Sequence, residues 1–203
     1  MAEMVKLKRC AWLWMIVMAW PWATLAADSP VPDVTLKAIL SGAGIQAHGS
    51  DATAAGVMAE TIRLKGSNAR IDYDGGPQQR GSVFRVGNRT WLLPSGSTRP
   101  LPVKHLPIAS VTRLDTDKPC SELGLSCLQV DDRLIAGRRA TGWRYDHAGR
   151  AGPDGTDSGV LWIDQETGVL LAIKAKDTSE RAYNMETVAI DYAALPDSAF
   201  TVP

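Results

Sequence analysis

Apolar and polar residues alternate along most of the chain after residue 33. In VTLKAILSGAGIQA (34–47), the apolar residues recur at every second position, which predicts a β-strand with one buried face. The segments MAETIRLKG (58–66) and ARIDYD (69–74) repeat this period around a turn of Gly66, Ser67 and Asn68. The pattern therefore predicts a first strand followed by a hairpin.

A second hairpin is predicted where GSVFRV (81–86) and RTWLLP (89–94) flank Gly87 and Asn88. These two residue types accept the positive φ angles of a tight turn. Four prolines then occur between residues 94 and 107, and proline removes a backbone donor from a strand ladder. We expect an edge strand or an irregular crossing there.

The last third of the chain has the most regular alternation. SGVLWID (158–164), VLLAIKAKD (169–177) and ERAYNMETVAIDY (180–192) predict three consecutive antiparallel strands, and two more are predicted within 128–149. Helical spacing of Ile108, Val111 and Leu114 indicates one short helix. The expected fold class is mainly β with minor α.

The N-terminus has the layout of a secretory signal. A basic start with Lys6, Lys8 and Arg9 precedes an uncharged apolar run, and the small residues Ala26 and Ala27 follow it. We expect cleavage beside Ala26 or Ala27 and a periplasmic mature chain. An uncleaved N-terminal anchor in the inner membrane is the alternative, although the run is short for a spanning helix, which needs ~20 apolar residues.

Composition narrows the possible functions of the mature chain. Removing the three basic residues and one acidic residue of positions 1–27 from 22 of each leaves 19 basic and 21 acidic residues. Such a mixed surface gives no electrostatic drive toward nucleic acid. The remaining ~176 residues suit a single, monomeric domain over 28–203. Cys120 and Cys127 are expected to form a disulfide in an oxidising compartment, and a metal or redox pair is the alternative.

Catalytic groupings are not recognisable in the sequence. The three histidines lack the spacing that would place two imidazoles on one metal ion, and no dinucleotide fingerprint is present. The acidic pairs Asp131–Asp132 and Asp154 with Asp157 are interpreted as turn residues that cap backbone N–H groups. We therefore expect no enzyme activity, no metal and no cofactor.

Large apolar side chains are the remaining candidates for function. They either fill the core or line a cavity in a curved sheet that does not close tightly. The sequence does not separate these alternatives. The candidates for a ligand-lining set are Phe84, Trp91, Leu93, Trp143, Trp162 and Leu171.

The C-terminal third also resembles a known family. GWRYD (142–146), GVLWIDQETGVLLAIKAKD (159–177), VAIDY (188–192) and LPDSAFTVP (195–203) are similar to the end of the LolA-like superfamily, which includes periplasmic lipoprotein carriers and RseB. The positions of this sequence that match the family motif are Asp164, Thr167, Gly168, Asp197, Phe200 and Pro203. The resemblance implies a strongly curved antiparallel sheet, an incomplete β-barrel with short helices over its concave face.

Two functions follow as expectations from this resemblance. The first is a periplasmic carrier that holds a lipid, an acyl chain or another hydrophobic ligand in the half-barrel. The second is an interaction or sensor module of the cell envelope, with a filled core and a protein partner at an edge strand or near residues 94–107. The sequence departs from the lipoprotein carriers in having no long N-terminal helix and only short segments to cover the sheet.

Overall fold

The computed structural model of the protein describes residues 31–46, 55–76, 79–103 and 113–203. Antiparallel pairing joins the strands of this part of the chain into one sheet. Eleven strands are assigned: β1 (Val34–Gln46), β2 (Ala55–Lys65), β3 (Asn68–Asp74), β4 (Arg80–Val86), β5 (Arg89–Pro94), β6 (Leu101–Pro102), β7 (Cys127–Ile135), β8 (Arg138–Tyr145), β9 (Ser158–Asp164), β10 (Leu170–Lys176) and β11 (Ala182–Asp191).

The strand order across the sheet is β6-β5-β4-β3-β2-β1-β11-β10-β9-β8-β7. Two meanders are thus joined where β1 pairs with the last strand, β11. Within the described residues, β6 and β7 do not pair with each other, and the sheet does not close. The mainly β fold class and the open, curved half-barrel are confirmed.

One face of the sheet carries the hydrophobic core and is called the core face. Register places Leu36 opposite Ile62, and Ile62 opposite Ile71, so that alternate side chains of successive strands meet. The buried residues of this face form one cluster with Leu114 and Cys120 from the segment before β7. The side chains on the other side, including Lys37, form the opposite face. A period of two thus separates a dry face from a wetter one.

The sequence correctly locates both N-terminal hairpins. Gly66 and Ser67 form the first turn, and the second turn contains Gly87 at a φ of 59°. The proline-rich stretch contributes only the two-residue edge strand β6. The three strands predicted after residue 158 are β9, β10 and β11, and the two predicted within 128–149 are β7 and β8.

Other predictions differ from the structure or lie beyond the described residues. Ile108 and Val111 of the expected short helix lie outside the described residues, while Leu114 is buried in the core cluster. The signal segment 1–27 also lies outside them. Short 3₁₀ turns occur at Pro153–Gly155 and Asp197–Phe200. Among the described residues, no helix is long and apolar enough to span a membrane.

Asp131 and Asp132 correct one sequence interpretation. They were expected in a turn, but both lie within strand β7, where the pairing with β8 shifts between Val130 and Arg133. Such an irregularity leaves residues outside the regular ladder, so two adjacent carboxylates stay in solvent within a strand. Asp154 and Asp157 do lie in the loop between β8 and β9.

Candidate functional site

The six side chains proposed as a ligand lining are not brought together by the structure. Phe84 pairs with Trp91, and Leu93 pairs with Ser82, on the opposite face of β4 and β5. Trp162 lies on that face of β9, several strands away. Trp143 projects with the core face of β8, and Leu171 is fully buried at a register shift in β10.

Phe84 is covered by the C-terminal turn rather than by the main core. Its side chain is buried, yet it does not belong to the core-face cluster. The Arg70 guanidinium lies 5.1 Å from its ring and donates to the Ala199 carbonyl at 3.3 Å. Phe200 of the same turn is also buried. The last residues therefore build a second small apolar cluster on the opposite face.

Trp162 is held by polar contacts that cross the opposite face. The Arg133 guanidinium from β7 lies 4.7 Å from its ring and donates to Glu186 of β11 at 2.8 Å. The Trp162 Nε1 donates to the carbonyl of Asp131 at 3.3 Å. These contacts draw β7 over the sheet, which explains why Ala172 on this face is fully buried.

Asp164 is the centre of the polar turn between β9 and β10. Arg138 donates to its two oxygens at 2.7 and 3.0 Å, and the backbone N–H groups of Glu166 and Thr167 donate at 2.9 and 3.1 Å. Burial alone would raise the pKa of this carboxyl, but these hydrogen bonds outweigh burial and lower it. Gly168 completes the turn at a φ of 68°. The motif is a structural corner.

A second polar group lies at one end of the core face. Burial raises the pKa of the Glu60 carboxyl to about 7, and the negative charge of Asp154 adds to this effect. Burial and then Asp154 also raise the pKa of the Tyr183 hydroxyl well above its ordinary value. The neighbouring Tyr145 hydroxyl pairs with Thr156. The charge of Asp154, in the loop between β8 and β9, therefore acts on both Glu60 and Tyr183.

Trp143 lines a pocket beside the disulfide. The Cys120–Cys127 bridge is formed, with a Cα–Cα distance of 5.9 Å. The adjoining pocket has a volume of about 250 Å³ and is lined by Asp117, Lys118, Pro119, Cys120, Ser121, Leu125, Cys127 and Trp143. The Trp143 Nε1 is buried and has no hydrogen-bond partner among the described residues. The pocket therefore combines the Trp143 ring and the disulfide with polar residues at Asp117, Lys118 and Ser121.

Two larger depressions are open grooves on the surface. One has a volume of about 370 Å³ and lies across β8 to β11, with Arg144, Lys174 and Asn184 in its lining. The other, of about 400 Å³, is lined by residues of β3, β4 and the turn after β5, including Asp74 and Arg80. Those two residues form an ion pair at 2.7 Å. The lining of the first groove includes Ala175 of the core-face cluster beside its charged side chains.

The described residues contain no group of three or more His, Cys, Asp or Glu side chains that could hold a metal ion. The sequence analysis did not single out Arg133 or the free edge of β7. The alternation of residues 127–130 and the adjacent aspartates could have marked this strand as an edge, because charges and bulges are typical there.

Solved structures of other proteins align with this chain over most of its length at low sequence identity, which shows a shared fold. The structure of the Pseudomonas aeruginosa MucA/MucB complex contains a chain that aligns with a TM-score of 0.51 at 15% identity. The alignment covers 86% of this chain and 56% of that one, so the chain spans just over half of its relative. An uncharacterised conserved protein from Thermus thermophilus aligns with a TM-score of 0.54 at 7% identity, covering 84% of both chains.

A LolA superfamily protein from Nitrosomonas europaea also aligns, with a TM-score of 0.40 and 10% identity. The alignment covers 85% of this chain and 91% of that one. No protein-family model and no curated protein matches the sequence. The fold of this chain is LolA-like, which confirms the expectation drawn from its C-terminal motifs.

Proposed function

We propose that the chain is an exported, non-enzymatic module of the cell envelope that binds a protein partner. Residues 28–203 are its working domain, and the segment 1–27 directs it to the periplasm. The proposal retains the second of the two functions expected from the sequence. It places recognition on the surface of the sheet instead of in a ligand-filled interior.

The packing of the core face is the observation that carries this proposal. Its cluster extends from Val83 of β4 to Tyr145 of β8, and its members are at most 7% exposed. A carrier of a lipid or acyl chain needs an apolar cavity of roughly 300–1,000 Å³ for its ligand. Two grooves of comparable size found among the described residues lie at the surface and have charged side chains in their linings.

The comparisons support the same function at the level of the fold. The MucA/MucB complex contains a chain with this fold in a protein assembly. A chain with this architecture can therefore take part in a complex with another protein. The carboxylate of Asp164 accepts hydrogen bonds from Arg138 and from the backbone of the turn, and these structural partners support a non-enzymatic role.

Carriage of a hydrophobic ligand is the second candidate. It is supported by the LolA-like fold and by apolar side chains that are only partly buried at the margin of the core, including Met58, Tyr73 and Tyr183. A ligand at this margin would contact the end of the core face beside Glu60. The lining would then differ from the set expected from the sequence.

Native mass spectrometry of the full chain, purified from the envelope without detergent, separates the two functions. A binding module should show no lipid adduct, no thermal shift with added palmitate, and a stoichiometric cross-linked protein. A co-purifying lipid would contradict the proposal. So would a rise in Tm with palmitate concentration that follows mass action, which corresponds to ~2.7 kcal/mol of added stability at a hundredfold excess of ligand over Kd.

A further inference from the structure

The two edges of the open sheet differ in their capacity to accept another strand. β6 has two residues, one of which is Pro102, and proline offers no N–H to a partner. β7 has nine residues and no proline, and within the described chain it pairs with β8 alone. Its backbone is therefore the better template for strand addition.

The disulfide pocket adjoins the start of β7. Cys127 is the first residue of the strand and pairs with Tyr145, while Gln129 pairs with Trp143. An added strand would place alternate side chains on the core face beside Cys127 and the pocket. At about 250 Å³, the pocket is smaller than most sites for whole ligands and suits a single apolar side chain.

Charge indicates which strand would fit this edge. Exposed acidic residues outnumber bases on β7 and in the segment 113–126 before it: they are Asp115, Asp117, Glu122, Asp131 and Asp132. The bases there are Arg113, Lys118 and Arg133, and Arg133 is bonded to Glu186. Arg113 is directed away, toward the carbonyls of Pro32 and Thr167. A second copy would bring like charges together, whereas a basic segment is attracted.

Exposed apolar side chains on β7 complete this surface. Leu128 is 63% exposed and Leu134 is 73% exposed, although both lie in a regular strand. Leu128 pairs with Arg144 on the opposite face, whereas Leu134, beyond the register shift, pairs with Arg139 on the core-face side. A partner strand would therefore cover one exposed leucine on each face. The edge thus offers an apolar contact on each side, a pocket beside Cys127 and acidic groups between them.

We propose that β7 docks a basic, extended segment of another protein, which pairs as a twelfth strand and places one apolar side chain in the disulfide pocket. This inference rests on the proposed function and deepens it by naming the surface and the chemistry of the partner. The Trp143 ring, which lines the pocket, would contact this apolar side chain.

A synthetic peptide tests this docking edge on the full chain. The probe is the acetylated, amidated peptide KTVTLTVTK, with a central leucine and a lysine at each end. Calorimetry at low salt should detect binding, and hydrogen exchange should slow in residues 127–135. The peptide ETVTLTVTE should bind at least about tenfold more weakly, and 1 M salt should narrow this difference. The peptide KTVPLPVTK lacks the needed donors and should not bind.

Protein variants locate the contacts. D131N/D132N should weaken binding of the lysine peptide about fivefold, and Trp143→Phe about threefold. The matched variant E180Q/D191N removes two exposed acidic groups elsewhere and should leave binding unchanged. Circular dichroism establishes that each variant is folded, and the three peptides test the edge even if a variant unfolds.

The docking edge is refuted if no peptide binds, if the lysine and glutamate peptides bind equally, or if protection appears outside β7. Dimerisation of the chain through β7 would also refute it. The proposed binding function would survive these results if the full chain and D131N/D132N capture the same envelope protein. A lipid adduct, in contrast, refutes that function directly.

Discussion

Asp164 shows how one buried carboxylate fixes a corner of the sheet. Its side chain is fully buried, while its main partner Arg138 remains 25% exposed. A buried charge of this kind is tolerated because nearly every lone pair accepts a hydrogen bond, including one from Tyr192 at 3.2 Å. The residues between β9 and β10 therefore depend on an ion pair that the alternation of apolar residues does not reveal.

We expect Asp164→Asn to destabilise the protein by about 3 kcal/mol, since it removes the buried charge partner of Arg138 and leaves only the exposed Glu166. Urea unfolding at pH 7 measures this loss. Glu166→Gln is the matched control, because Glu166 contacts the same arginine but is 75% exposed, and it should cost under about 0.5 kcal/mol. Equal losses in the two variants would contradict the structural role of burial.

The lowered pKa of Asp164 also predicts that the contribution of this carboxyl to stability is lost at acid pH. A carboxyl with a lower pKa in the folded state stabilises the protein above its unfolded pKa of about 3.9, and this contribution is lost as the pH falls through the folded value. The difference between the wild type and Asp164→Asn should therefore shrink below about pH 4.

Glu60 predicts the opposite dependence on pH. Its pKa is about 7 in the folded protein and 4.5 without burial, so the folded state holds an extra proton between these values. Stability from this group is greatest below pH 4.5 and declines as the pH rises to 7. We expect Glu60→Gln to gain about 2 kcal/mol of unfolding free energy at pH 8 and nothing at pH 4.5.

Urea titrations at a series of pH values measure this difference. The exposed Glu122 provides the control, since Glu122→Gln at the protein surface should change the free energy of unfolding by less than about 0.5 kcal/mol. A Glu60→Gln gain that does not change with pH would indicate a packing effect instead of titration.

Among the secondary-structure elements, the C-terminal turn is small but covers a strand pair. Asp197–Phe200 contacts β3 and β4, and Lys65 binds both the Leu195 carbonyl at 2.6 Å and Asp197 at 2.7 Å. The turn thereby closes the opposite face over Phe84. Phe200, a residue of the family-like C-terminal motif, is buried in this turn.

Phe200→Ala should lower the unfolding free energy by about 3 kcal/mol, because a buried phenylalanine leaves a cavity when truncated. Guanidinium unfolding measures the change, and hydrogen exchange should rise in β3 and β4. Val202→Ala, in a partly buried residue two positions later, should cost under about 1 kcal/mol. An equal effect of both variants would contradict a specific role for the ring.

The edge strand β7 illustrates a different property of an element. Its aspartates and its register shift protect an open edge against pairing with a second copy, yet they leave the backbone accessible to a basic segment. Specificity of this kind arises from repulsion as much as from attraction. The short, proline-containing β6 is protected by its composition instead.

For the whole molecule, one continuous core predicts one cooperative unit. The cluster joins residues of β1 to β4 with residues of β7 to β11, so neither half of the sheet has a core of its own. We expect residues 28–203 to unfold in a single transition, with coincident curves from tryptophan fluorescence and far-ultraviolet circular dichroism. Two separate transitions would show that the halves of the sheet fold independently and contradict the single domain.

The sequence by itself determined the strands, the hairpins and the face of each strand that would be buried, because alternation and turn residues act over a few positions. It also identified the disulfide between Cys120 and Cys127 and the turn motif of Asp164, Thr167 and Gly168, which resembles that of the LolA-like family. Gly87–Asn88 and the alternation in 158–192 carried most of this information.

Only the tertiary structure decided which aromatic residues meet. Phe84, Trp143 and Trp162 occupy equivalent strand positions in sequence, but register and strand order place them in three different environments. The burial of Asp164 and the free edge of β7 likewise depend on residues distant along the chain. Local patterns specify which face of a strand is buried, whereas strand order and register decide which side chain of another strand it packs against.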